Sequence, residues 1–416
     1  MNVARLCEEF GITGRVRDAA LRAHERVSGV RYEAQEIVAA TVLRAFADES
    51  IDESDLWGTS GYGYGDSARA RYESLLSRIF GTQRTLARLS LASGTQAIVT
   101  AIGACVAPGE MLLSIAGPPY DTLRNAIADA PHSLVGQGVR YREIALAGGT
   151  IDVGAAVRSV AEDRVAAVFV QRSRGYAPRP SISVDDCAAA FTAIKHVSSR
   201  CLVLVDNCYG ELVETREPTH VGADLVMGSL IKNLGGGLAP GGGYVSGRAD
   251  LVERVAARHY APGVGGGIGP TLGFGRSLVQ GLFQAPLAVE QTLRGLDFAA
   301  ALFAELGFEV DPAPGARRTD IVQAIRLGEP ERLLRFAAGL QSAMPLNARF
   351  RPEPGAVPGY TVPVVMSSGA FVAGATIELS CDAPMRAPYE VYLPGGLHAA
   401  HAAMGALFAA RAVMSV

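Results

Sequence analysis

A chain of 416 residues with 49% hydrophobic and 19% charged residues can bury a substantial core, and that balance excludes extended disorder. A net charge of −3 without runs of like charge leaves no basic footprint for nucleic acid. No apolar stretch is long enough to span a bilayer, so neither nucleic acid nor membrane is an expected partner.

The six cysteines (Cys7, Cys105, Cys187, Cys201, Cys208 and Cys381) show no CxxC pair and no metal-ligand spacing. They read as reduced thiols, and no metal is expected. Glu8 and Glu9 stand where a secretion signal would need an apolar core, so the expected location is the cytoplasm.

In chain order, residues 1–60 read as an N-terminal helical arm, with arginines and glutamates between apolar positions such as Val38 to Phe46. Such an arm has little core of its own and must pack on a neighbour or a partner subunit. Thr59-Ser60-Gly61-Tyr62-Gly63-Tyr64-Gly65-Asp66 lacks the spacing of a dinucleotide loop, and no GK[ST] occurs in the chain. It is either a turn with packed tyrosines or a ligand-facing loop.

Residues 61–286 read as a large domain. A helix over Ala68 to Phe80 leads to a short strand, Leu89 to Ala92, then the turn Ser93-Gly94-Thr95 and an apolar helix. Free N–H groups at that helix start, with two hydroxyls, form a candidate phosphate site, though Ser and Thr are also the commonest helix caps. Met111 to Ile115 is a strand, and Tyr120 follows it, either stacking on a ligand or filling a turn. Buried strands follow at Val165 to Val170, Cys201 to Val205 and Ala223 to Met227, alternating with helices. The fold class is α/β, a mostly parallel, doubly wound sheet. Gly241 to Gly247 is a strand returning from the carboxyl edge, and Ala261 to Pro270 a flexible loop. Residues 287–416 read as a smaller α+β domain: a helix over Leu287 to Leu306, strands at Asp320 to Ile325 and Ala375 to Ser380, loop over 345–363, and a last helix near Gly396.

The chemistry gathers where two of these strands end. Asp206 closes one, and Gly228-Ser229-Leu230-Ile231-Lys232-Asn233 follows the next. Parallel strands would bring both to one carboxyl edge, where open α/β sheets bind ligands. An amine and a carboxylate there suit pyridoxal phosphate: the lysine forms a Schiff base and the carboxylate keeps the ring nitrogen protonated. Of 38 Lys and Arg residues only Lys195 and Lys232 are lysine, so Lys232 is retained for its amine. Lys195 sits on the wet side of an amphipathic helix. Ser229-x-x-Lys232 also matches penicillin-binding enzymes, but no lysine follows to complete their second motif. In the small domain Arg386, between Pro384 and Pro388, is either a carboxylate fork or a surface arginine.

These residues, with Gly61 to Tyr64, Pro119 to Thr122, Ser173-Arg174-Gly175-Tyr176, Val205 to Glu211 and Gly374 to Ser380, resemble the methionine γ-lyase-like, aluminium-resistance branch of fold-type I pyridoxal-phosphate enzymes. The resemblance implies that Lys232 carries the cofactor and Asp206 partners its ring nitrogen. Ser93, Gly94, Thr95 and Ser229 would hold its phosphate. Tyr120 would stack on the ring and assist the leaving group, and Arg174 and Arg386 would bind substrate. Tyr62 or Tyr64 would reach a neighbouring subunit's phosphate, so the resemblance implies a homo-oligomer, a dimer at least and a tetramer by family habit. It departs at Gln96, where the family has histidine, at Pro118, where it has lysine, and at Leu234 and Pro394. The expected reaction is γ- or β-elimination from an L-amino acid bearing a thiol, thioether or halide, with the site lowering the pKa of Lys232. The departures favour an altered substrate in specialised metabolism. The alternatives are an aminotransferase or decarboxylase on the same fold, and a binding protein without catalysis.

Overall fold

A computed structural model describes residues 1–415. Contacts divide the chain into two units, residues 36–286 and, together, residues 1–35 and 287–416. This differs from the expected three parts. The helices Val3–Glu9 and Gly14–Val27 bury Val3, Cys7, Val16, Ala19, Ala20 and Ala23 within the C-terminal unit, so residues 1–60 are not one arm.

The larger unit is built on a seven-stranded sheet of β1 (Arg84–Arg88), β2 (Met111–Ser114), β3 (Arg140–Glu143), β4 (Val165–Gln171), β5 (Leu202–Asp206), β6 (Leu225–Ser229) and β7 (Gly243–Gly247). The order is β1-β7-β6-β5-β4-β2-β3. β2 to β6 run parallel, and β7 is antiparallel to both β6 and β1. The central strands are buried on both faces, which is why they read as unbroken Val/Leu runs without alternation. Phe169, Leu204, Leu225 and Met227 pack with Ile98, Ile102, Leu251 and Val255 from the helices Gly94–Cys105 and Ala249–His259. The first strand lies at Arg84–Arg88, not at Leu89 to Ala92, which is a turn whose Ala92 N–H donates to Gln96 Oε1.

Caps explain the helix starts. Asp66 accepts from Arg69 N at the head of Ser67–Phe80, and Gly81 ends that helix in the left-handed region. Ser183 and Asp186 form a reciprocal capping box on Val184–Val197. Lys195 lies in the last turn of that helix and is not simply turned to solvent: its side chain is 28% exposed, and its Nζ donates to Cys201 O at 2.8 Å and Asp224 Oδ2 at 2.6 Å. The second lysine is thus a strand-edge tie, and its reach along the helix surface is what the apolar pattern hid. The glycine loop expected to be flexible is bound. Arg69 donates to the carbonyls of Gly63, Gly267 and Gly269, and Arg88 to those of Gly266 and Ile268.

The helix expected from Leu287 begins at Gly275 and runs to Glu305 with Pro286 inside it. In the C-terminal unit β8 (Glu309–Asp311), β9 (Val322–Arg326), β10 (Val364–Ser368), β11 (Ser380–Pro384) and β12 (Glu390–Pro394) form an antiparallel sheet ordered β10-β11-β12-β9-β8. Ala375 to Leu379, expected as strand, is a turn. Ala375 and the whole run from Ile377 to Ser380 are buried without alternation, and Glu378 folds back so that its carboxylate accepts from Phe371 N and Val372 N. The last helix is Ala399–Met414.

Candidate active site

β5 and β6 are adjacent and parallel, with Asp206 opposite Met227. The chain leaves them at one edge, so Asp206 and the Ser229–Lys232 turn are neighbours because of register alone. Asp206 is 2% exposed. Its Oδ1 accepts from Cys208 N at 3.0 Å, and among the described residues no arginine or lysine forms an ion pair with it. Burial raises its pKa to about 6, against the Cys208 hydrogen bonds and the more distant charge of Lys232.

Lys232 is partly buried, with its Nζ 3.9 Å from the centroid of the Tyr209 ring. Tyr209 holds a left-handed backbone with φ of 69°, a conformation that costs free energy outside glycine and that sites tolerate where it aims a side chain. Burial of the lysine works against its charge, but Tyr209 and Cys208 outweigh burial and raise its pKa. The expectation of a lowered amine pKa is therefore corrected for this chain: a π-face and polar neighbours surround the amine and favour its charge.

The helix Gly94–Cys105 points its amino terminus at this edge. Ser93 Oγ is its cap, accepting from Gln96 N at 3.1 Å. A Cβ built on Gly94 would lie 3.2 Å from Ser229 Cβ, 3.3 Å from Ser229 N and 3.3 Å from Cys208 Sγ. The Ser93-Gly94-Thr95 turn and Ser229 thus meet, and Gly94 leaves the cradle between them open. Thr95 Oγ1 is 2.6 Å from the Tyr120 hydroxyl, and Tyr120 N donates to Gln171 Oε1 at 2.8 Å. Tyr120 is held at both ends, and burial, then the charge of Asp206, raises its pKa well above the phenol range.

Arg174 follows β4 and is 2% exposed. Arg386 belongs to the C-terminal unit, in the turn between β11 and β12, partly buried, with its N–H donating to Pro384 O. Tyr62 and Tyr64 lie on the surface, 75% and 72% exposed, with ring centroids 6.0 Å apart. The structure therefore gathers Lys232, Asp206, Ser93, Gly94, Thr95, Ser229 and Tyr120, places Arg174 at the same sheet edge, and leaves Tyr62 and Tyr64 on the surface of the larger unit.

Sequence reading passed over a buried polar layer beneath these residues. Arg172 pairs with Glu214 and donates to Asn207 Oδ1 at 2.6 Å, while Asn207 Nδ2 donates to Glu217 Oε2 at 2.8 Å. Glu211 bonds Tyr244, and Asn233 Nδ2 donates to the carbonyls of Tyr209 and Glu211. The signal was available: Asn207, Glu211, Glu214 and Glu217 are polar residues in a stretch that starts from a buried strand.

A donor set of one amine, one buried carboxylate without a cation, and an open helix start with hydroxyls fits an aldehyde cofactor with a ring nitrogen and a phosphate. Among the described residues no cluster of ligands for a metal occurs, and no helix is long and apolar enough to cross a membrane.

Solved structures carry the same architecture. A Clostridium acetobutylicum protein proposed as a cystathionine beta-lyase involved in aluminum resistance superposes with a TM-score of 0.94 at 38% identity, covering 99% of this chain and 98% of its own. A carbon-sulfur lyase involved in aluminum resistance from Clostridium novyi NT gives 0.92 at 36% identity, covering 98% and 97%. The pyridoxal-5'-phosphate-dependent protein YhfS from Escherichia coli gives 0.62 at 19% identity, covering 92% and 97%, which shows a shared fold. That fold is the fold-type I architecture. The model of the family described as methionine gamma-lyase matches residues 16–414, and the chain belongs to that family.

Proposed function

We propose that this protein is a pyridoxal-phosphate-dependent carbon–sulfur lyase. It eliminates a thiol or thioether group, or a halide in its place, from the γ- or β-carbon of an L-amino acid. One observation carries the reading: the amine of Lys232 and the buried carboxylate of Asp206, which forms no ion pair among the described residues, stand beyond the ends of adjacent parallel strands. The family match and the Clostridium novyi relative, described as a carbon-sulfur lyase, support it.

When bound, the cofactor supplies an electron-accepting ring that acidifies the substrate α-carbon. Asp206 would hold a proton at the ring nitrogen. Its raised pKa leaves it ionised above about pH 6, ready to accept that cationic group. Ser93, Gly94, Thr95 and Ser229 would bind the phosphate, and Tyr120, fixed by Thr95 and Gln171, would lie against the ring. Lys232 would hold the cofactor and, once displaced by substrate, take the proton from the α-carbon. The Tyr120 hydroxyl would give a proton to the departing sulfur. Arg174 and Arg386 would orient the substrate carboxylate. Tyr62 or Tyr64 would complete the phosphate site of a second subunit in a homo-oligomeric cytoplasmic enzyme. The altered positions at Gln96 and Pro118 would adapt the pocket to a different amino acid, including one released as an unsaturated product.

Lys232→Ala is expected to lower thiol release by at least about a thousandfold and to abolish the cofactor's visible absorbance. A panel of γ-thio, β-thio and γ-halo amino acids, with the leaving group assayed directly, checks the reaction. Borohydride treatment followed by peptide mass mapping checks the attachment. Wild-type rates in Lys232→Ala, or an adduct on another residue, would refute the assignment.

A further inference from the structure

Glu211 is fully buried and has no part in the lyase reading. Its Oε1 accepts from the Tyr244 hydroxyl at 2.9 Å, and its Oε2 has no hydrogen-bond partner among the described residues. Tyr244 lies on β7 opposite Gly228 of β6. A Cβ on Gly228 would stand 2.8 Å from Glu211 Oε1 and 2.8 Å from Tyr244 Cε1. The strand lacks a side chain there because the acid and the phenol fill the space. At the other end of the lysine turn, Asn233 Nδ2 donates to the Glu211 carbonyl at 2.7 Å. The segment from Gly228 to Asn233, which carries Lys232, thus rests on Glu211 at both ends.

Building on the lyase reading, we propose that Glu211 is a positioning residue held in its acid form. It supports the lysine turn from behind without adding a second negative charge beside Lys232, and its ionisation ends the working range on the alkaline side. The groups that face it are Tyr244 from β7, Tyr72 from the helix Ser67–Phe80, Asp206 and Cys208 after β5, Glu217 beyond them, and Lys232 after β6. Lys232 is the one cation among these groups. Burial first, then Glu217 and Asp206, pushes the carboxyl up to about 8, against its own backbone N–H and the Tyr244 hydroxyl. Once ionised, Glu211 would tighten the hold of Lys232 on its proton, the wrong direction for an amine that must release it.

The first test needs no cofactor. Above the ordinary glutamate value of about 4.3 the unfolded chain loses this proton while the folded chain keeps it. Stability therefore falls as pH rises towards about 8 and levels off beyond it. Glu211→Gln has no proton to lose, so its melting temperature should gain on wild type progressively between about pH 5 and 8 and hold that gain above. The second test uses the loaded enzyme. The alkaline decline of kcat/KM for thiol release should vanish in Glu211→Gln. In Tyr244→Phe, which removes a donor to the carboxylate, it should move to higher pH. A melting difference that is flat with pH, a rate profile superimposing on wild type, or a folded Glu211→Gln inactive at every pH overturns the proposal. If Glu211→Gln fails to fold, the direction of the Tyr244→Phe shift decides. A wild-type protein that takes up no cofactor sinks the lyase reading alone, because the cofactor-free melting series still reports whether the acid is kept neutral.

Discussion

Burial outweighs the Cys208 hydrogen bonds and the charges of Lys232 and Arg179, so Asp206 carries a folded-state pKa of about 6, and between roughly pH 4 and 6 the folded chain holds a proton that the unfolded chain has released. The sign follows directly: stability falls across that window as pH rises, by up to about 3 kcal/mol, and stays low above it. Asp206→Asn should remove this loss. In cofactor-free protein, urea unfolding at pH 7.5 should show the variant more stable than wild type by on the order of 1–3 kcal/mol. The same variant should lose thiol release by a hundredfold or more, since its amide cannot hold charge at the ring nitrogen. A variant that is neither stabilised nor impaired would mean that Asp206 has a cationic partner in solution. Lys232 and Asp206 were legible in the sequence because the chemistry demands those residue types and the strand pattern places them. Glu211 and Arg172 were not, since no spacing rule says which buried acid will face which strand. Tyr209 lies within the Val205 to Glu211 motif, but its left-handed backbone, which turns the ring beneath the amine, has no sequence signature.

Among elements, the turn after Lys232 is fitted against the first half of the helix that begins at Gly275. A Cβ on Gly281 would lie 2.3 Å from Gly235 O, and one on Gly236, whose φ is 52°, would lie 2.3 Å from Gly281 O. Backbone meets backbone, and no side-chain rotation can relieve the overlap. Gly281→Ala should therefore destabilise the protein by about 1–3 kcal/mol in urea and displace the lysine turn, even though alanine is the better helix former. Unchanged stability would mean that the turn and helix separate in solution. The helix itself shows what sequence could and could not give. Its apolar spacing was legible from Leu287, but Pro286 hid eleven residues before it, because proline usually opens a helix. β10 follows directly on Pro363 and β12 ends in Pro394, and proline at a strand's border argues against reading a strand. Ala375 to Leu379 erred the other way: its apolar residues alternate in sequence like a strand's, but the segment is a turn buried from Ile377 onward, where the Glu378 carboxylate satisfies the N–H groups of Phe371 and Val372.

For the molecule as a whole, the C-terminal unit is stitched from both ends of the chain. Tyr32 donates to Asp297 Oδ2 at 2.6 Å, and Arg318 Nε donates to Asp297 Oδ1 at 2.8 Å, with the Arg318 and Asp297 side chains 3% and 2% exposed. Asp297→Ala leaves a buried guanidinium uncompensated and should cost about 3–5 kcal/mol. The expected result is early loss of the C-terminal unit in limited proteolysis, with residues 36–286 surviving longer; uniform cleavage of both units would contradict it. The parallel sheet and its carboxyl-edge site were readable because alternation of strand and helix fixes topology. The membership of residues 1–35 was not, since an amphipathic helix declares that it has a partner without declaring which one.

That stitching sets an order on biosynthesis. Residues 36–286 leave the ribosome as a continuous stretch and hold the whole seven-stranded sheet, so this unit can close while translation is still under way. The first 35 residues emerge earliest, yet their companions begin at residue 287 and finish with the final helix, Ala399–Met414. The helices within residues 1–35 must therefore wait until residues 287–414 have been made with their apolar faces uncovered, which makes this segment the natural client for a holding chaperone.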